Sequence, residues 1–151
     1  MKNSLAALLL CFAPLALSTS PMAVRVLDWM LPVPANWTPQ VPSSDMRLAQ
    51  FTIRSEGGNA DAAVFYFGQG SGGSVEENTK RWASQFLDAA GKPATPKLEK
   101  GASGGMPVTW VALDGRYARG VGSGPQGESK AKQSLRVAVI ETDRGNLFFQ
   151  L

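Results

Sequence analysis

Residues 68–73, Gly68-Gln69-Gly70-Ser71-Gly72-Gly73, are the stretch whose types and spacing could do chemistry. They satisfy G-x-G-x-x-G between an apolar run and a helical pattern, and Asp88 lies about twenty residues on, the outline of a dinucleotide-binding fingerprint. Two features count against it. Ser74 starts the helix after the last glycine rather than within the motif, and Asp88 falls on the helix itself rather than at the end of a second parallel strand. A less specific chemistry survives. Backbone amides at a glycine-rich helix start can hold an anion or an acidic group. The contacts would come from Gly70, Gly72, Gly73 and Ser74, with Arg81 adding a guanidinium. The plain alternative is a tight strand-to-helix connection.

The other reactive groups are few. The chain has no histidine and one cysteine, Cys11, so Ser-His nucleophiles and the common zinc sites are excluded, and Cys-His pairs with them. The acidic pairs Glu76–Glu77 and Glu141–Asp143 read as helix-start and hairpin residues rather than as general acids and bases. The expectation is a protein that is not an enzyme, with no catalytic residues, no metal and no cofactor.

The N-terminus carries a different signal. Lys2 precedes an apolar run from Leu5 to Leu17, too short to span a bilayer, and small residues follow. Residues 1–20 therefore read as a secretory signal peptide, cleaved between 18 and 23, with cleavage after Ser18 fitting best. Export also takes the protein away from most dinucleotide pools. Cys11 falls inside the apolar run behind the bulky Leu10, against lipidation; a membrane is a partner only if Cys11 is lipidated. Of 151 residues, 44% are hydrophobic and 18% charged, which suits one globular domain over 24–151. The net charge of +3 is small and scattered, which excludes nucleic acid as a partner.

The elements that must position the glycine turn follow from periodicity. VRVLDWML (24–31) reads as a strand ended by Pro32 and Pro34, and Trp37 falls in a proline-bounded loop, capping the core. MRLAQFTI (46–53) alternates, with Arg47, Ala49, Phe51 and Ile53 on one face. The run 62–67 is apolar on both faces, as a central strand should be. Ser74-x-x-Glu77 is a capping box. Val75, Thr79, Trp82, Phe86 and Ala90 then fall on one stripe, so a long helix is expected from Val75 to Ala90, ended by Gly91 and Pro93. A short edge strand fits near 97–101, then strands over 108–117, 135–141 and 146–151. Residues 120–134 read as a polar loop. A chain stopping on an apolar strand suggests a missing C-terminal helix that would cover the sheet, unless Leu151 lies inside it.

Ser43-Ser44-x-Met46-Arg47-x-Ala49-x-Phe51, then Phe65-Tyr66-Phe67-Gly68 with Gly72-Gly73, then Asn78 and Arg81-Trp82-x-x-Gln85-Phe86 make a pattern. It resembles small exported bacterial proteins of uncharacterised function, over about residues 28–151. The resemblance implies a PsbP-like α/β/α sandwich, an antiparallel sheet between helices, and a helix beyond the final strand. Better-known proteins of that fold act as binding or assembly partners, which is fold analogy alone.

The resulting expectation is an α+β fold, an antiparallel sheet packed against one long helix. The functional expectation is an exported, periplasmic or secreted, non-enzymatic module that binds an unknown protein or small ligand. Its surface would be the turn from Gly68 to Ser74 and the loop 120–134, with Arg81, Arg116 and Arg119 adding donors. The alternative is an anion- or nucleotide-binding protein, or a carboxylate-based enzyme, using the same turn.

Overall fold

Alternation of apolar and polar residues governs most of the chain, and strands follow from it. The computed structural model describes residues 22–118 and 132–151. The leader expected over 1–20, with Cys11, lies outside the described residues, as do Arg119 and residues 120–131 of the polar loop. In order, the elements are β1 (Ala23–Val26), β2 (Trp29–Pro32), β3 (Trp37–Gln40), β4 (Arg47–Ser55), β5 (Gly58–Tyr66), α1 (Val75–Ser84), β6 (Phe86–Leu87), β7 (Lys97–Ser103), β8 (Met106–Tyr117), β9 (Lys132–Thr142) and β10 (Gly145–Gln150).

Eight strands form one antiparallel sheet in the order β3-β4-β5-β10-β9-β8-β6, with β7 pairing the other stretch of the same β8 edge. β1 and β2 form a separate hairpin. Of the described residues, 59% are in strands and 9% in helix. The expected α+β sandwich built on a helix from Val75 to Ala90 is therefore overturned: the chain is nearly all sheet, and its helix stops at Ser84.

The shortening has a local cause. Gln85 closes the helix, and its carbonyl accepts from the Ala118 amide at 2.8 Å. Phe86 and Leu87 then pair with Tyr117 and Arg116 on the open edge of β8. The Phe86 ring meets Tyr117 at 5.4 Å and is buried. A free sheet edge offers these two residues backbone partners as good as another helical turn, and tertiary packing overrides a continued stripe. Gly91 does take a positive φ of 76°, but in a turn where Asp88 accepts from the Ala90 and Lys92 amides.

Three further expectations change. VRVLDWML is a hairpin rather than one strand, turning at Leu27, whose φ is 53°. Trp37 lies in strand β3, where Pro39 is tolerated because β3 is the sheet's edge. Residues 132–134 belong to β9, not to a loop. β10 lies inside the sheet between β5 and β9, and Leu151 continues the ladder, exchanging two 2.8 Å backbone bonds with Arg136.

Each face of the sheet has its own core. On one, α1 places Trp82 against Phe148 at 6.2 Å, above Val111, Leu113, Val137 and Val139. On the other, the β1–β2 hairpin buries Val26 and Val33 against Phe51, Val64 and Leu147. An ion pair of 2.6 Å between Asp28 and Arg144 joins the hairpin turn to the β9–β10 turn.

Candidate functional site

The glycine turn is held from within. Gly70, Gly72 and Gly73 have φ of 70°, 89° and 77°. At Gly72 a Cβ would also come within 2.8 Å of the Phe67 ring and 3.2 Å of Phe148. At the helix start, the Ser74 amide donates to Glu77 Oε2 at 2.8 Å and the Ser74 hydroxyl donates to the same oxygen at 3.0 Å. The Glu77 amide returns a bond to the Ser74 hydroxyl at 3.1 Å. The Ser74 amide, and after it the hydroxyl, hold the Glu77 carboxyl below its ordinary range. The place where an external anion would meet this helix start thus holds an internal carboxylate.

Asn78, buried at 3% exposure, is fully engaged. Its side-chain amide donates to the carbonyls of Gly72 (2.6 Å) and Ser74 (2.9 Å), and its oxygen accepts from Arg81 at 2.6 Å. Of the five residues singled out, the structure brings Gly72, Gly73 and Arg81 into one cleft of about 350 Å³, together with Phe67, Glu77 and Asn78. Gly70 is exposed outside it, and Ser74 turns to Glu77. Arg81 also borders a second hollow of about 590 Å³, between α1 and the ends of β8 and β9, with Gln133 and Ser134. Arg116 is exposed on β8, near β6. The dinucleotide fingerprint has no parallel strand to work with, because every pairing in the sheet is antiparallel.

A larger apolar concavity than the glycine-turn cleft lies elsewhere, on the face that carries the β1–β2 hairpin. Directly paired residues share a face. Hence Glu99, Trp110, Ala138, Phe149 and Val64 form one row across β7, β8, β9, β10 and β5. Lys97, Ala112 and Arg136 form the adjacent row, which Leu151 continues. The core under the hairpin lies over β4, β5 and β10, with Trp37 of β3 and Ile140 of β9 at its margins. Beyond it a trough of about 490 Å³ opens, floored by Ala62, Ala112 and Ala138 and walled by Trp37, Trp110 and Phe149. Three alanines on neighbouring rows make the depth, since larger side chains there would fill it.

Trp110 is set by a missing side chain. A Cβ on Gly101 would lie 2.8 Å from its Cζ3, so the indole rests over the backbone of β7. It stays 39% exposed, which is unusual for a ring of that area. At the rim, Arg136 donates to the carbonyls of Leu113 and Leu135, each at 3.0 Å, and pairs with Asp114 at 2.9 Å. The Ser134 hydroxyl, then the Arg136 guanidinium, hold the Asp114 carboxyl below its usual value, and Lys97 adds to this.

This trough escaped the sequence reading, although its signal is present. In VTWVALDG the residues alternate between Val111 and Leu113 on one face and Trp110 and Ala112 on the other. A strand with one bulky and one hollow face, repeated in Arg136-Val137-Ala138-Val139, marks a sheet left open on one side.

Among the described residues no helix is long and apolar enough to cross a membrane, and no cluster of three or more acidic, histidine or cysteine side chains could hold a metal. The sequence matches no protein-family model, and none of the curated proteins matches it.

Proposed function

We propose that this chain is an exported, non-enzymatic domain that binds a small apolar ligand in the trough beside Trp110. One observation carries the reading: a concavity of about 490 Å³, lined by Trp37, Trp110, Phe149 and three alanines, left open by the hairpin that covers the rest of that face. Its size falls in the range of ligand pockets, about 300–1,000 Å³, and its lining has their mixture of aromatic walls and few polar groups. Export rests on the leader pattern of residues 1–20. A role outside catalysis rests on the lack of histidine and on the work the acidic residues already do: Glu76 pairs with Lys80 at 2.7 Å, Glu77 caps the helix and Asp88 closes a turn.

The test uses N-phenyl-1-naphthylamine, a neutral dye whose fluorescence rises in apolar sites. The native chain is expected to enhance it at micromolar concentration. Ala138→Phe, which fills the floor between Trp110 and Phe149, should abolish the enhancement while the chain keeps its cooperative thermal transition. No enhancement by the native chain, or equal enhancement by Ala138→Phe, would overturn the reading.

A further inference from the structure

The charges around the trough are not placed evenly, and their placement selects among apolar ligands. This inference rests on the trough being the binding site. Lys97, Ala112 and Arg136 are direct neighbours across β7, β8 and β9. With strands about 4.8 Å apart, the Lys97 and Arg136 backbones flank Ala112 on either side, and the Arg136 guanidinium reaches toward Leu113, Leu135 and Asp114. Asp114 is already committed to Ser134 and Arg136. Lys97 makes no ion pair among the described residues. Arg136 is held in place by its two carbonyl acceptors and Asp114, which leaves its Nε–H and one Nη2 hydrogen with no protein acceptor among the described residues. The remaining rim charge, Glu99, stands on the adjacent row opposite Trp110. An acidic group is thus favoured at this end of the trough, beside Ala112.

Away from that place the lining is apolar. Ala138, Phe149, Ala62 and Trp37 lead across the sheet. Trp37 and Phe149 are also walls of a second cavity of about 190 Å³, lined by Val24, Leu31, Pro32, Val33 and Phe51 beneath the hairpin. From β8 to β3 is five strand spacings, roughly 24 Å. That is a long, narrow apolar path with two cations at one end.

We propose that the trough takes a single-chain anionic amphiphile, with its acidic head beside Ala112 between Lys97 and Arg136 and its chain laid past Ala138 and Phe149 toward Trp37. A carboxylate there meets a guanidinium held by three acceptors and the exposed Lys97 ammonium, and each methylene lying in the trough leaves water.

The experiment displaces bound N-phenyl-1-naphthylamine from the full chain with dodecanoate, dodecanol and dodecyltrimethylammonium, the ions below their micelle thresholds and the alcohol below its solubility limit. Dodecanoate is expected to bind at least tenfold more tightly than dodecanol, and the cation more weakly still. Affinity should rise roughly fourfold per methylene from octanoate to dodecanoate. Lys97→Gln should weaken dodecanoate about tenfold and leave dodecanol unchanged. Lys97 is exposed, so the variant should fold, and an unchanged cooperative thermal transition will show it. Equal displacement by the three head groups, or no effect of Lys97→Gln, would overturn this inference while leaving the apolar site standing. Absence of dye uptake would overturn both.

Discussion

Ser74 and Glu77 show what one residue pair decides. At the glycine-rich helix start an internal carboxylate takes the Ser74 amide and hydroxyl, and the Ser74 hydroxyl takes the Glu77 amide, so these groups serve folding. Ser74→Ala removes the acceptor for the Glu77 amide and one donor to its carboxylate, and is expected to lower stability by about 1 kcal/mol in urea denaturation. The effect should depend on pH with a defined sign. The folded pKa of Glu77 is depressed by Ser74, so the stability it contributes is present above the unfolded carboxylate value, near 4.3, and is lost as pH falls through the lower folded value. The gap between the native chain and Ser74→Ala should therefore be wide at pH 7 and shrink below about pH 4. A gap that stays constant on acidification would place the cap's contribution elsewhere.

At the scale of elements, helix and strand compete at residues 85–90. Periodicity extends a helical stripe through Phe86 to Ala90, yet β6 takes Phe86 and Leu87 onto β8. Glycine scanning separates the two conformations. Ala83→Gly, inside α1, should cost at least about 1 kcal/mol. Ala90→Gly, in an exposed turn, should stay within about 0.5 kcal/mol. An Ala90→Gly cost as large as that of Ala83→Gly would mean the helix runs on. The long strands were legible because their alternation is strong: Ala49, Phe51 and Ile53 share a buried face as the spacing demands, and β5 carries apolar residues on both faces. The capping box was equally legible. β3 was not, because Pro39 argues against a strand unless one knows it lies at an edge. The β1–β2 turn was hidden because Leu27, a branched residue, occupies a positive φ that sequence patterns reserve for glycine or asparagine. The glycine turn was visible as a motif. The carboxylate that fills it was visible only as half of a cap.

Among the described residues, one short helix and one short hairpin share the covering of an eight-stranded sheet. Neither of them extends over the whole of its face. No local pattern states that imbalance, which emerges only once strand order brings β7, β8 and β9 together beyond the hairpin. The face under the hairpin should therefore behave as two regions. Val26 is 1% exposed within the covered core, where its methyls meet close packing. Val26→Ala should cost about 2 kcal/mol by lost burial and a residual cavity. Ala138, half-buried on the open side, has empty space above it, so Ala138→Leu adds apolar contact without overpacking and should change stability by less than about 0.5 kcal/mol. Parallel urea titrations of the two variants check this directly. If Ala138→Leu destabilises as a core insertion does, by about 1–3 kcal/mol, the trough is closed in solution. A stable Ala138→Leu with reduced dye uptake is the result that an open trough requires.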